Sequence, residues 1–179
     1  MEEEIKKEMV AHSRQIYSFC YHLTGNRTEA EDLYQDTFLT AWEKRKALER
    51  AREESEIKSY LLGIAANLWK NYQRKKIRRN RIAPMDNRED ALDRAVSGES
   101  GPEGNILRQE MLQEVRRQVR GLPDKLRVVV VLYYAGEMGT EEIAARLGIP
   151  PATVRSRLSR ARKKLQRGLE ESGYEQVYG

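Results

Sequence analysis

The chain has 179 residues, of which 34% are charged and only 7% are aromatic, and this composition favours two small helical modules over one large core. A net charge of +5 and a pI near 9.3 suit a nucleic-acid partner if the basic residues are concentrated. One cysteine excludes an internal disulfide. With no membrane-spanning apolar run and no secretory signal pattern, we expect a soluble cytoplasmic protein.

The single cysteine, Cys20, lies near His12 and His22 in the sequence. These three residues are too few for a closed structural metal site, so a buried thiol near surface histidines is the preferred interpretation. No metal and no cofactor is expected.

The first 46 residues predict an antiparallel helical hairpin. A first helix covers Glu2 to Leu23 and ends at Thr24-Gly25-Asn26. Thr28 and Glu31 have the spacing of a capping box and start a second helix that runs to about Lys46. The predicted core residues of the two helices are Val10, Ile16, Tyr17, Cys20, Leu23, Ala30, Leu33, Thr37, Phe38, Ala41 and Trp42.

The second helix also carries a polar stripe with one leucine: Asp32, Gln35, Asp36 and Leu39, at i, i+3, i+4 and i+7. An ordinary solvated face explains this stripe as well as a protein-docking face does, and the spacing alone leaves both interpretations open.

A third helix is predicted in SYLLGIAANLWKNYQRKKIRRNR. Its apolar positions run from Ile57 to Tyr72, and from Lys70 onwards it is strongly basic. Amides, aromatics and cations alternate there, which is the mixture that holds unstacked bases and a single-stranded backbone. Tyr60 and one of Trp69 and Tyr72 are expected in the core instead, which leaves one exposed aromatic at most.

Periodicity fails between Ile82 and about Pro102, where glycine, proline and acidic residues accumulate, so this stretch is predicted to be a flexible acidic linker. Helical spacing returns at 106–120, and Leu122-Pro123-Asp124 starts a further helix that ends near Ala135. Val128 to Val131 favours a strand by propensity, but it has no partner strand and is interpreted as buried helix.

The sequence from Thr140 to Lys164 predicts a helix-turn-helix. Thr140 can cap its first helix, Gly148 ends that helix, and Pro151 suits the first turn of the next one. The buried stripe of the second helix is predicted to be Val154, Leu158, Ala161 and Leu165. Its opposite side carries small, hydroxylic and basic residues, which suit a DNA groove. A solvated helix face is the alternative, but no acidic residue interrupts the basic ones between Arg155 and Arg167.

Three of these stretches together resemble a bacterial RNA polymerase sigma factor of the extracytoplasmic-function (ECF) type of the sigma-70 family. AEDLYQDTFLTAWEK and SYLLGIAANLWKNYQRKK resemble its core domain, and LPDKLRVVVVLYYAGEMGTEEIAARLGIPPATVRSRLSRARKKL resembles its C-terminal domain. The resemblance implies an all-α fold of two small helical domains: a region-2-type domain at 1–81, a flexible acidic linker at 82–105, a region-4-type helix-turn-helix domain at 106–172 and a tail at 173–179.

The resemblance also implies partners: core RNA polymerase, promoter DNA and an anti-sigma factor that is often membrane-anchored. The α-helical stripe of Asp32, Gln35, Asp36 and Leu39 would dock on the clamp helices of the largest polymerase subunit. The region around 126–135 would meet the flap of the second-largest subunit. Residues that would capture the melted minus-10 strand are Asn67, Lys70, Asn71, Tyr72, Arg74, Lys75, Lys76, Arg78 and Arg79. Residues that would bind the minus-35 duplex are Thr153, Arg155, Ser156, Ser159, Arg160 and Lys163, and among them Arg155, Ser156, Ser159 and Arg160 match the positions that read the element.

Two other classes of protein were weighed. A stand-alone, dimeric helix-turn-helix regulator would share the C-terminal domain, but it predicts a ligand or phosphoacceptor site in the N-terminal half, for which the sequence shows no motif. An enzyme is less favoured still, because no nucleophile–base set and no metal-ligand spacing occurs in the sequence.

Overall fold

The computed structural model describes residues 1–50, 54–82 and 106–174. Within these ranges the chain forms nine α-helices and no strand, which confirms the predicted all-α fold. The predicted linker, beyond Ile82, and the last five residues of the predicted tail lie outside the described residues. The helices are α1 Glu2–Ala11, α2 Ser13–Thr24, α3 Arg27–Glu43, α4 Arg45–Leu48, α5 Glu54–Ile82, α6 Ile106–Arg120, α7 Asp124–Tyr134, α8 Thr140–Leu147 and α9 Pro151–Glu171.

The predicted single N-terminal helix is wrong, because the helix breaks at His12, where φ is −91° and ψ is 0°. The buried side of α1 contains Ile5 and Met9 and continues into His12, whose side chain is only 6% exposed. These three positions are spaced in helical register with Ile16 of α2. Val10 points elsewhere and is 61% exposed, so its predicted place in the core is also wrong. The spacing of apolar residues alone does not show this register, because one position of the buried stripe is a histidine.

A tight turn joins α2 to α3. Gly25 ends α2 in the left-handed region at φ 66°, a conformation that favours glycine. The N-cap of α3 is Asn26, whose side-chain oxygen accepts a hydrogen bond from the backbone N–H of Glu29 at 3.0 Å. The predicted capping box of Thr28 and Glu31 is therefore wrong by two residues, because Asn26, two residues before Thr28, already accepts from a free N–H of the first turn. Glu31 pairs with Arg27 on the surface instead.

The core face of α3 is largely as predicted, with Ala30, Leu33, Thr37 and Ala41 buried. Trp42 is the exception. It lies in the last turn of α3 at the domain edge, 36% exposed, and the guanidinium of Arg45 stacks over its ring at 5.0 Å.

The long helix α5 spans 29 residues and packs on α2 and α3. Ile57, Leu61, Ala65 and Trp69 are buried at a spacing of four residues. Trp69 is only 2% exposed and therefore belongs to the core, whereas Tyr60 and Tyr72 are half-buried. The basic second half of α5, from Arg74 to Ile82, is exposed along its whole length.

The C-terminal half contains α6 to α9. The valine-rich stretch of α7 is helical and buried, as predicted, because packing overrides the strand propensity of valine. Gly148 ends α8 in the left-handed region at φ 66°, and Pro151 is the first residue of α9. The N-cap of α8 is Gly139 rather than Thr140, which is already the first helical residue. The predicted buried stripe of α9 is confirmed at Val154, Leu158, Ala161 and Leu165.

The two halves pack against each other. Helix α5 contacts α7 and α8, and α2 contacts α6 and α7. The buried apolar residues form one continuous cluster that extends from Ile5 in α1 to Leu165 in α9. We expected two modules joined by a flexible linker, and the apolar spacing of the helices does not predict this contact, because polar side chains make much of it.

Candidate nucleic-acid interface

The first candidate surface is the outer face of α9, the second helix of the helix-turn-helix. Its buried stripe packs on α7 and α8, which turns the opposite face to solvent. Of the six residues predicted to bind duplex DNA, Thr153 is half-buried and Arg155, Ser156, Ser159, Arg160 and Lys163 are exposed. The helix-turn-helix thus brings the predicted set together on one accessible face.

Two arginines of α9 are held in different ways. The Arg160 guanidinium donates to the Ser156 hydroxyl oxygen at 3.2 Å, one turn earlier, which orients it along the exposed face. Arg162 instead donates to the Tyr134 hydroxyl at 2.9 Å and stacks on the Tyr133 ring at 5.4 Å. The fixed Arg162 is a packing residue of the domain, and Arg160 is the one available to a ligand.

A groove of about 590 Å³ lies between the start of α7 and the first turns of α9. It joins predicted residues to three basic side chains that were not in the predicted set: Lys125, Arg157 and Lys164. Lys125 comes from a different helix, so no spacing within α9 could have identified it. Four cations around an open groove suit a phosphate backbone.

The second candidate surface is the exposed end of α5. Seven of the nine residues predicted to hold a single strand are exposed: Asn67, Asn71, Arg74, Lys75, Lys76, Arg78 and Arg79. Lys70 and Tyr72 are half-buried. Lys76 forms a surface ion pair with Glu29 of α3 at 3.2 Å, so its charge is partly compensated. The basic side chains from Arg74 to Arg81 are exposed, so a polyanion can reach this end of the helix.

Tyr72 connects this surface to α3. Its hydroxyl donates a hydrogen bond to a carboxylate oxygen of Asp36. Burial raises the pKa of the Tyr72 hydroxyl, and the bond to Asp36 raises it further, so the phenol stays protonated at neutral pH and remains a donor.

Lys70 faces positive charge from both halves of the molecule. Burial lowers the pKa of Lys70, and the nearby charges of Arg74, Arg157 and Lys125 lower it further. Arg157 and Lys125 belong to the groove beside α9. The two candidate DNA surfaces lie close together in this conformation, because the Gln73 amide of α5 also donates to Asp124, next to Lys125, at 3.2 Å.

The polar stripe of α3 has three exposed members, Asp32, Gln35 and Leu39, and Leu39 is 62% exposed. Asp36 is half-buried and engaged by Tyr72. An isolated leucine in an otherwise polar, exposed stripe offers a partner an apolar contact with acidic and amide groups around it.

Cys20 is fully buried, and burial raises the pKa of its thiol to about 12, so the thiol is protonated and unreactive. The predicted buried thiol is confirmed. His12 is buried as well and His22 is half-buried, so the expectation of surface histidines is wrong for His12.

The described helices define a class: an all-helical, two-part protein with a helix-turn-helix in its C-terminal half and a second basic helix, α5, in its N-terminal half. None of the helices in the described ranges has the length and apolar character to cross a bilayer. Residues 9–79 match the family described as Sigma-70 region 2, and residues 112–165 match Sigma-70, region 4.

The chain is also similar in sequence to individual sigma factors. The chain is 31% identical over 169 residues to the ECF RNA polymerase sigma factor SigW of Bacillus subtilis, covering 87% of this chain and 83% of that relative. It is 33% identical over 150 residues to the ECF RNA polymerase sigma-E factor of Escherichia coli K12, covering 79% and 74% of the two chains. The chain belongs to the ECF RNA polymerase sigma factors of the sigma-70 family and is a transcription initiation factor.

One solved structure is similar over nearly the whole chain. It is the sigma factor RpoE in complex with the anti-sigma factor NepR from Bartonella quintana. The TM-score is 0.73 and the sequence identity 26%, and the match covers 94% of this chain and 98% of that chain. The match thus includes both helical halves.

Proposed function

We propose that this chain binds core RNA polymerase and directs it to promoters through two separate DNA contacts. The exposed face of α9 reads the minus-35 element as a duplex, and the second half of α5 holds the melted minus-10 strand. The observation that carries the proposal is the helix-turn-helix: the six residues predicted to bind the duplex lie on one face, beside a groove lined by four cations. On this proposal residues 1–81 and 106–172 are the two functional domains.

Duplex reading rests on the basic and hydroxylic side chains of α9. An arginine that donates two hydrogen bonds to guanine discriminates against other bases by about 1–3 kcal/mol. Arg160 is oriented for such a contact by Ser156. Lys125, Arg157, Lys163 and Lys164 supply the phosphate contacts that position the helix, without reading sequence themselves.

Strand capture rests on the exposed end of α5. Extruding a base costs a few kcal/mol in lost stacking and pairing, and stacking together with backbone contacts offsets that cost. Asn67 and Asn71 provide amides that can bind base edges, and Arg74, Lys75, Arg78 and Arg79 lie beyond them along the same exposed helix. Because Trp69 is buried, Tyr72 is the aromatic of this set nearest the surface.

Polymerase docking is assigned to the stripe of Asp32, Gln35, Asp36 and Leu39, against the clamp helices of the largest subunit. The helix around 126–135 is assigned to the flap of the second-largest subunit. Its valines are buried, so only outward-facing side chains such as Tyr134 could touch that partner. Catalysis belongs to the polymerase, and this chain contributes specificity rather than an active site of its own.

Regulation by an anti-sigma factor is part of the proposal. It is supported by the similarity to a sigma factor solved in complex with one, across both helical halves. The chain would then work in the cytoplasm, held at the inner face of the membrane where its anti-sigma factor is membrane-anchored.

The docking assignment is tested by Leu39→Lys, which places a cation at the C-terminal end of the stripe. Val10→Lys is a matched control, because Val10 is 61% and Leu39 is 62% exposed, so both changes remove an exposed apolar side chain from a helix. We expect Leu39→Lys to lose co-purification with core polymerase, while Val10→Lys retains it and both keep the helix content of the wild type. Wild-type association of Leu39→Lys would contradict the assignment.

A further inference from the structure

The groove between α7 and α9 lies along the flank of α9 rather than at the centre of its exposed face. Four of its residues recur at i, i+4, i+7 and i+11 and so form one stripe along the helix: Thr153, Arg157, Arg160 and Lys164. Lys125 lines the groove from the start of α7. Ser159 and Lys163, which lie on the outer face of α9, are not among the lining residues.

The size and shape of the groove suit a small ligand. Its volume of about 590 Å³ lies within the range of about 300–1,000 Å³ that is usual for small-molecule sites. Phosphates of a duplex can reach the rim, where Arg160 and Lys164 are exposed. A short anion can also enter between the two helices and bind cations on both walls.

The positive charge of the groove is not balanced by ion pairs. None of the salt bridges in the described ranges involves Lys125, Arg157, Arg160 or Lys164. The nearest acid in sequence to Lys125 is Asp124, whose carboxylate accepts a hydrogen bond from Gln73 of α5 at 3.2 Å. Arg157 is half-buried, so water solvates its charge only in part.

Lys70 of α5 borders the same cluster of cations. Burial lowers the pKa of Lys70, and the charges of Arg74, Arg157 and Lys125 lower it further. Three helices therefore contribute positive charge to one small region. A multivalent anion bound there would stabilise all of these charges together.

The start of α9 adds neutral donors to the groove. Pro150, the N-cap, has no side chain that can accept from the first turn of the helix. Ala152 and Thr153 of this turn line the groove, so the positive end of the helix dipole and the Thr153 hydroxyl face a bound ligand together with the cations. Pro123 and Leu126 provide an apolar wall on the α7 side.

We propose that this groove binds a polyphosphate, free or carried by a nucleoside, whose phosphates bridge Lys125 of α7 to Arg157, Arg160 and Lys164 of α9. Arg160 and Ser156 line the groove and also belong to the duplex-binding face, so the bound anion competes with the minus-35 duplex. This competition rests on the proposed function of α9, whereas binding of the anion does not.

Binding is tested by isothermal titration calorimetry of the free, full-length chain with inorganic tripolyphosphate. Lys163 and Lys164 form a matched pair, because they are adjacent, both exposed and equally charged, and of the two only Lys164 lines the groove. We expect affinity to fall about tenfold in Lys164→Ala and in Lys125→Ala, through loss of one charge-assisted hydrogen bond, and by less than about twofold in Lys163→Ala.

Three results would overturn the site, each measured at wild-type helix content. They are no binding of tripolyphosphate by the wild type, equal losses in Lys163→Ala and Lys164→Ala, and an unchanged affinity of Lys125→Ala. Equal losses would mean diffuse attraction to a basic helix rather than a site between two helices.

The class of ligand is tested with orthophosphate and ATP on the same proteins. Orthophosphate should bind at least about tenfold more weakly than tripolyphosphate, because one phosphate cannot bridge both walls, and equal affinity would contradict a polyphosphate site. ATP that binds more tightly than tripolyphosphate assigns the site to a nucleoside polyphosphate, packed on Pro123 and Leu126. Weaker binding of ATP assigns it to the inorganic chain.

Competition is measured by fluorescence anisotropy of a minus-35 duplex bound to the reconstituted holoenzyme. Tripolyphosphate should displace the duplex, and the holoenzyme with Lys164→Ala should need about tenfold more of it than the holoenzyme with Lys163→Ala. If tripolyphosphate binds the chain as predicted but leaves the duplex on a holoenzyme that discriminates the upstream element, competition is wrong and the proposed function stands. If the holoenzyme shows no preference for the upstream element, the proposed function fails and the anion site on the free chain stands.

Discussion

Replacing Arg160 by alanine tests whether α9 reads bases. Arg160 is exposed on the groove side of α9, and Ser156 accepts one of its hydrogen bonds at 3.2 Å, which leaves the other guanidinium donors free. Loss of a bidentate contact to guanine should cost about 1–3 kcal/mol at one base pair, which is about 5- to 150-fold in affinity. Sequences that lack that base pair should lose much less.

Two further variants distinguish base reading from a sequence-independent contact of the positive charge. Lys163→Ala removes the same unit of charge from the same face and should weaken binding to all sequences alike. The slope of the logarithm of the binding constant against the logarithm of the salt concentration should fall in magnitude by about 0.9. Ser156→Ala removes the group that orients Arg160 and should cost about 0.5–1.5 kcal/mol. Combined with Arg160→Ala, it should add little, because no guanidinium remains to be oriented.

The assay is selection of bound duplexes by the reconstituted holoenzyme from a library randomised in the upstream element, followed by sequencing. Arg160→Ala should lose preference at one position and keep it at the others. A uniform loss across all sequences would refute base reading by Arg160 and make it a phosphate contact. Full additivity of the Ser156 and Arg160 changes would refute the orienting hydrogen bond.

Two further predictions concern the stability of the helical fold that carries these surfaces. Hydrogen bonding from Arg117 lowers the pKa of Glu114 to about 2. This carboxylate therefore stabilises the fold above its unfolded pKa of about 4.3, and the contribution is lost as the pH falls towards 2. Glu114→Gln should show a smaller drop in urea midpoint between pH 7 and pH 3 than the wild type, and an identical drop would contradict the assignment. Asn26→Ala should destabilise the chain by about 1 kcal/mol in urea unfolding through loss of the α3 N-cap, whereas Thr28→Ala should cost much less, and the reverse order would restore the capping box that the structure replaces.

Much of the fold follows from local pattern. The apolar spacing of α9, the glycine at 148 and the proline at 151 each specify a feature that needs only neighbouring residues, and the structure has all of them. The valine stretch of α7 also follows, because a strand without a partner cannot satisfy its backbone. The errors occur where a polar residue is buried or a competing cap is present, as at His12 and Asn26.

The relation between the two halves could not be predicted from the sequence. Arg146 and Arg127 read as ordinary surface residues in their own helices. Only the folded chain shows that Arg146 contacts Asn67 and Ser59 and that Arg127 lies over the Trp69 ring. Gly63 was the one visible signal, since glycine within a strong helical pattern indicates a close approach. Lys125 was missed for a similar reason, because it joins the α9 groove from another helix.

The most direct measurement is run-off transcription with core RNA polymerase on a genomic promoter library, with and without this chain. We expect a defined set of transcripts that requires the chain, is reduced at specific promoters by Arg160→Ala, and is abolished by Leu39→Lys. Transcripts that are the same with and without the chain would contradict its role as a promoter-specificity subunit, and so would tight dimeric binding of the free chain to the same duplexes without polymerase.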